Sequence, residues 1–370
     1  MYRWPRARSG QNWRSGSFVG KVWRPKAYNR LLMLSGPAAG LLERNVLKLL
    51  SLVSKNLILA IPVTMLLGFG LGLMAPVAWL KSLIVPLTFL MVYPMMVSLK
   101  LAKVLEGGDT KAQFLAQLIN FAVIPFVAFA LGRYFFPEQP YYAMGLLLAA
   151  LLPTSGMTIS WTGFAGGNLG AAVKMTVLGL ILGSLATPFY VQWLMGATVP
   201  VDMLAVFSQI AFIVFLPMVA GHLTQTHLLK KFGQKAFQSE WAPRFPPFST
   251  LGVLGIVFVA MALKAGQLAA QPGQLLQLIG PLLALYGINY LLSTAVARVF
   301  LPRGDAIALV YGTVMRNLSI ALALAMNAFG NASSDAALVI TLAYIVQVQS
   351  AAWYVKLTDR LFGAKAAAGT

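Results

Sequence analysis

The feature that most limits what this chain can fold into is a succession of ten apolar runs. Each is close to the ~20 residues that cross the hydrocarbon core of a bilayer. They lie near 54–75, 79–100, 112–134, 141–165, 170–194, 203–225, 248–267, 275–300, 305–329 and 335–357. Hydrophobic residues make up 59% of the sequence and charged ones 10%, so a water-soluble fold would have nowhere to put its apolar surface. Inside lipid, backbone polar groups must be satisfied within the segment, and helices do this. The predicted fold class is therefore an all-α membrane protein with ten transmembrane helices.

A formal charge of +19 would suit nucleic acid if it were spread over a surface, but it is not. Ten of the 28 Lys and Arg fall in the first 48 residues, and most of the rest fall in short loops. Basic clusters beside spans set orientation and face anionic lipid. The partners expected are a lipid bilayer and a small anionic solute, with no nucleic acid; the oligomeric state stays open. The loops holding Lys100, Lys103 and Lys111, then Lys230, Lys231, Lys235 and Arg244, then Arg298 and Arg303, are basic, as is the tail with Lys356, Arg360 and Lys365. The alternate loops carry only Lys81, Arg133 and Lys264. This asymmetry places both termini in the cytoplasm of a multi-pass protein of the plasma or inner cell membrane.

Residues 1–40 read as a basic tail, 41–360 as the ten-span body, and 361–370 as a short C-terminal tail. Residues 1–30 hold no acid and no apolar core suited to a signal peptide. They are either a tail on the membrane surface or an extension ahead of a start at Met33, and both readings stay open. Leu41 to Leu50 reads as an amphipathic segment at the interface.

The chain repeats itself. Arg133-Tyr-Phe-Phe-Pro137 matches Arg298-Val-Phe-Leu-Pro302, and each is followed about thirty residues later by Gly-Asn, at Asn168 and Asn331. Tyr190-Val191 and Tyr354-Val355 follow in turn, and Asn120 and Asn289 occupy corresponding upstream positions. Five spans per copy make the second copy (about 203–357) enter the membrane from the side opposite the first (about 54–194), which is an inverted repeat.

Two of the runs are interrupted, one in each copy. Pro153 has no N–H, so the carbonyl of Ala149 loses its helical partner, and Leu151 to Asn168 is dense in hydroxyls. The second break surrounds Arg316-Asn317-Leu318-Ser319. Pro153 and Arg316 stand at equal distances from their Gly-Asn pairs, so the breaks in spans four and nine should cross and face each other. Each break starts a new half-helix whose N-terminus carries about half a positive charge and open N–H groups, which suits an anion. Such paired breaks point to a transport site at the bilayer midplane.

The candidate substrate-binding residues are Thr154, Ser155, Thr158, Arg316, Asn317, Ser319, Asn120 and Asn289. Arg316 is eleven residues from Asp305, about 16 Å into the membrane. A charge at that depth costs at least ~2.5–3.5 kcal/mol, and no span carries a carboxylate to neutralise it. It either contacts an anionic substrate or serves as a tethered cation against half-helix carbonyls. Gly68/Gly72 and Gly179/Gly183, each pair four apart, read as helix-packing contacts.

Enzymatic chemistry lacks its parts. The chain has no cysteine, its nine carboxylates fall at loops or helix ends, and His222 and His227 are poorly spaced for one metal. No cofactor or metal is expected.

Taken together, these residues resemble the bile acid:sodium symporter superfamily, which includes the arsenite-efflux permeases. The resemblance runs over about 41–360. It is carried by Pro86-Leu-Thr-Phe-Leu-Met-Val-Tyr-Pro-Met-Met96, by Asn120-Phe-Ala-Val-Ile-Pro125, by the Pro153 break with Trp161 and Gly167-Asn168, by Ala186-Thr-Pro188 and by Asn317. It implies a panel of spans one, two, six and seven, and a core of spans three to five and eight to ten. The activity implied is secondary transport of a small organic or inorganic anion, with arsenite or oxyanion efflux as the alternative. The chain departs from the resemblance at telling places. Thr154 stands where arsenite permeases carry cysteine, and Ser319 where they carry an acid. Gly312 and Arg316 stand where the sodium symporters carry glutamate and glutamine. Sodium or proton coupling stays open, and the missing span-nine carboxylate argues against sodium: the guanidinium would take the ion's place.

Overall fold

The computed structural model describes residue 53 and residues 56–99, 108–199, 202–270, 273–329 and 333–363. The readings made for residues 1–52, the loop at 100–107, the repeat partner Gly330-Asn331 and the tail from 364 lie outside the described residues.

Among the described residues the chain is helical throughout. Six helical stretches are long and apolar enough to cross a membrane, and Leu59–Met74, Pro140–Leu151 and Leu318–Ala328 are shorter apolar helices. The helices in chain order are α1 (Leu57–Met74), α2 (Ile84–Val97), α3 (Thr110–Gln117), α4 (Ile124–Phe135), α5 (Pro140–Leu151), α6 (Gly156–Phe164), α7 (Leu169–Tyr190), α8 (Met203–Ile210), α9 (Leu216–Ala236), α10 (Phe245–Ala270), α11 (Gln274–Phe300), α12 (Arg303–Val314), α13 (Leu318–Ala328) and α14 (Ser333–Phe362). The protein is a multi-pass membrane protein.

The runs expected at 141–165 and 305–329 are each two helices, α5 and α6 in the first, α12 and α13 in the second. Proline shapes other places more gently. Pro125 and Pro217 each follow a wide turn, Leu118–Val123 and Ala211–Phe215. A proline frees the carbonyl four residues back. For Pro125 that carbonyl belongs to Phe121, and the Tyr190 hydroxyl donates to it at 2.6 Å.

Packing sorts the helices into two groups. Helix α10 lies along α1 and α2, and α9 lies on α2. Helices α4, α13 and α14 pack around α5, while α3, α6, α7 and α11 pack on α12. Small residues permit the close approaches. A Cβ on Gly68 would sit 2.5 Å from the Phe258 carbonyl oxygen, and one on Gly252 would sit 2.5 Å from the Met91 nitrogen. The packing role expected for Gly68/Gly72 is therefore visible as backbone contact between α1 and α10.

Carboxylates occupy helix ends rather than the apolar interior. Asn168 caps α7 by accepting from Ala171 N–H and donates to Asp109 at 2.9 Å and to Asp305 at 2.7 Å. Lys174, on the first turns of α7, pairs with Asp109 at 3.2 Å. This network ties the starts of α3, α7 and α12 together.

Candidate substrate site at two crossed helix breaks

The breaks meet. Pro153 and Arg316 form an antiparallel bridge, and Asn317 N–H donates to the Leu152 carbonyl at 2.8 Å. The bond runs between the residues flanking the bridged pair, so the N–H and carbonyl of Arg316 itself point away from Pro153 and need another partner. Gln347, on α14, is that partner: its Oε1 accepts from Arg316 N–H at 2.7 Å and its Nε2 donates to the Arg316 carbonyl at 3.2 Å. One side-chain amide thus does for Arg316 what a neighbouring strand would do. Without such partners, backbone at this depth would be untenable.

Each break also caps the half-helix that follows it. Ser155 Oγ accepts from Met157 N–H, and Thr158 Oγ1 accepts from Ser155 N–H, closing a capping box at the start of α6. Asn317 Oδ1 accepts from Ile320 N–H and caps α13. Thr154 has φ 65°, a left-handed conformation that a β-branched residue rarely adopts. Its hydroxyl donates toward the carbonyls of Pro153 (2.6 Å) and Thr176 (3.1 Å), which hold it there. Strain of this kind costs on the order of 1–3 kcal/mol and persists where surrounding structure enforces it.

A cavity of about 470 Å³ lies against this crossing. Ser155, Asn317, Ser319 and Tyr344 form its polar floor, and the Ser319 and Tyr344 hydroxyls meet at 2.6 Å. Met95, Leu99, Met157, Val177, Leu180 and Val253 are among its apolar walls, with Ser249 and Thr250 from α10. Among the described residues no charged side chain lines it. Its walls come from both packing groups: α1, α2 and α10 on one side, α6, α7, α13 and α14 on the other.

Of the eight residues singled out from sequence, Ser155, Asn317 and Ser319 line the cavity. Thr154, Thr158, Arg316, Asn120 and Asn289 do not; all five are buried. The two asparagines serve the second break. Asn120 Nδ2 donates to the Gly312 carbonyl at 3.0 Å and Asn289 Nδ2 to the Thr313 carbonyl at 2.9 Å, so successive open carbonyls at the end of α12 are both satisfied. Arg316 is 3% exposed and is not among the cavity's lining residues, with Tyr286 in electrostatic reach. Both of its terminal nitrogens lack a hydrogen-bond partner. Its backbone lies just past the C-terminal ends of α5 and α12, whose last carbonyls carry partial negative charge.

Sequence reasoning did not single out Gln347, Tyr344 or Thr176. Gln347 had a signal, being an amide in the middle of an apolar run. Gly179 and Gly183, read as packing glycines, pack on the first break itself: a Cβ on Gly179 would lie 2.5 Å from Thr154 Oγ1, and one on Gly183 2.7 Å from Pro153 Cδ.

Known proteins share this sequence pattern. The chain is 22% identical over 259 residues to the arsenical-resistance protein Acr3 of Corynebacterium glutamicum, covering 66% of this chain and 70% of that one. It is 22% identical over 335 residues to the uncharacterized transporter slr0944 of Synechocystis sp., covering 81% and 86%. It is 28% identical over 285 residues to the "Probable sodium/metabolite cotransporter BASS1, chloroplastic" of Arabidopsis thaliana, covering 74% and 67%. These relatives are transporters and a resistance protein rather than enzymes. The family model described as Sodium Bile acid symporter family matches residues 85–271, just over half of the sequence. The chain belongs to that family.

Proposed function

We propose that the protein is a secondary transporter that carries a small anion by alternating access through the crossing of its two broken helices. The observation that carries this reading is the cavity floor. The N-termini of α6 and α13 both open onto it, flanked by Ser155, Asn317 and Ser319, with no carboxylate among the described residues that line it. Two half-helix N-termini supply roughly one positive charge between them. The apolar walls suit an organic anion with a hydrocarbon body and one carboxylate-like end.

In this reading there are ten spans in two inverted repeats. Helices α1, α2, α8–α9 and α10 form the panel, and the remainder forms the core. The basic loops lie in the cytoplasm of a cell whose inner membrane holds the protein. The cavity residues Leu99 and Pro246 are close in sequence to those loops, so the cavity opens inward. Thr154, Thr158, Asn120 and Asn289 support the site by holding its backbone, and Ser155, Asn317 and Ser319 meet the solute. Arg316, outside the cavity lining, acts as the tethered cation. It neutralises the converging ends of α5 and α12, where a mobile cation would otherwise be required, so transport needs no sodium.

A second reading, efflux of arsenite or a related oxyanion, is favoured by the Acr3 relative. The chain has no cysteine, so a metalloid would meet hydroxyl and amide oxygens and methionine thioethers in the cavity rather than thiolates.

Purified protein in proteoliposomes separates these readings. With acetate, benzoate, cholate and arsenite as labelled probes, saturable uptake of at least one carboxylate is expected, at a rate unchanged when choline replaces sodium. Uptake of arsenite alone would support the second reading. Absence of saturable flux for every probe would overturn transport, and a strict sodium requirement would overturn the role given to Arg316.

A further inference from the structure

The cavity is open toward one membrane face, so something must close it toward the other. Helix directions identify that other face. Helix α10 runs from Pro246 and Ser249 at the cavity to Lys264 at its far end, and α14 starts at the far end with Asp335. Lys264 Nζ lies 2.7 Å from Asp335 Oδ1, with the two side chains 13% and 22% exposed. The contact is an ion pair, partly shielded from water. Around it, Lys264 Nζ donates to Gln267 Oε1 at 2.8 Å, and Gln267 Nε2 donates to the Tyr142 hydroxyl at 3.3 Å. The Tyr142 hydroxyl in turn donates to Gln274 Oε1 at 3.4 Å. Lys264 and Gln267 belong to α10; Tyr142 belongs to α5, Gln274 to α11 and Asp335 to α14. The cluster therefore joins one packing group to the other. A second polar link, Asn327 Nδ2 to Thr88 Oγ1 at 3.1 Å, joins α13 to α2 on the same side of the break.

We propose that Lys264 and Asp335, with Tyr142 and Gln267 around them, are the far-side gate of the transport cycle: the ion pair holds the two helix groups together while the cavity faces the other way, and it separates when the solute is released on its own side. Ion pairs at the rim of lipid but shielded from bulk water are screened little by salt. Neutralising one partner leaves the other's charge partly buried, which weakens the closed state.

The inference rests on the alternating-access reading, and the test separates the two. The natural chain has no cysteine, so Ser319→Cys places a single thiol on the cavity floor. Sealed vesicles of either orientation are treated with a membrane-impermeant maleimide. With the gate intact, labelling is expected only from the face near Leu99 and Pro246. In Lys264→Gln or Asp335→Asn, far-side labelling should rise at least ten-fold while near-side labelling persists, which also reports intact folding. The reversed pair Lys264→Asp with Asp335→Lys should return far-side labelling toward the starting rate. An unchanged far-side rate in both neutralised variants overturns the gate and leaves alternating access standing. A thiol unreactive from both faces overturns the cavity reading, and the gate with it.

Discussion

Arg316→Gln is expected to lower the initial rate of anion uptake in proteoliposomes at least 100-fold, and to make what remains depend on sodium. The reason is burial. The guanidinium is nearly inaccessible, its terminal nitrogens have no hydrogen-bond partners, and no carboxylate among the described residues pairs with it. In the proposed role it faces the ends of two half-helices, where Asn120 and Asn289 hold the carbonyls of Gly312 and Thr313. Removing one member of a buried charge arrangement typically costs about 3–5 kcal/mol. About 2.7 kcal/mol of that, felt in the transition between the two cavity states, would be a factor of 100. Sodium at the vacated position would restore part of the charge, which is why the residual flux should become sodium-dependent. Arg316→Lys keeps the charge on a shorter, more strongly hydrated head and should fall between wild type and Arg316→Gln. Wild-type flux in Arg316→Gln without sodium would remove the guanidinium from the mechanism.

The second large effect is expected from Gly183→Val. A Cβ at 183 would lie 2.7 Å from Pro153 Cδ and 3.2 Å from the Leu151 carbonyl oxygen, so helix α7 can approach the first break only because glycine stands there. Overpacking of this sort costs about 1–3 kcal/mol. Here the displaced atoms are the bridge itself, and the Leu152 carbonyl must stay 2.8 Å from Asn317 N–H. Flux should fall at least ten-fold, with a clear loss of thermal stability in detergent. Gly70→Ala is the control, since nothing lies within 4 Å of its Cβ, and it should behave as wild type in both measurements. Equal effects at the two positions would mean that flux responds to glycine loss anywhere in the membrane, not to the geometry of the break.

These two residues also mark how far the sequence could be read. The breaks were legible because Pro153 removes a donor and Arg316 sits at a depth where charge is costly. Their matched spacing from the Gly-Asn at 168 and its partner gave the crossing, and Pro153 and Arg316 do form a bridge. Where the side chains point was not legible. Periodicity places Asn120 and Asn289 in the interior but cannot say that both turn to carbonyls of α12 rather than to a solute. Nor could it exclude Arg316 from the cavity lining, because one residue's direction at an irregular backbone depends on partners far along the chain, here Gln347 and Tyr286. Gln347 illustrates the same limit: its place in the apolar run of α14 marks it as unusual, yet its service as a substitute strand exists only once two breaks cross in front of it. The far-side cluster was equally hidden, since Lys264 and Asp335 read as ordinary loop-end charges until α10 and α14 are seen side by side.

The most direct test of the central idea, that the crossing of the two breaks holds the solute, is protection of the thiol in Ser319→Cys. Maleimide labelling from the cavity's open face should slow in a saturable manner as a transported carboxylate is added, with half-protection at the concentration that half-saturates flux. A carboxylate that saturates flux yet leaves the labelling rate at Ser319→Cys untouched would contradict it.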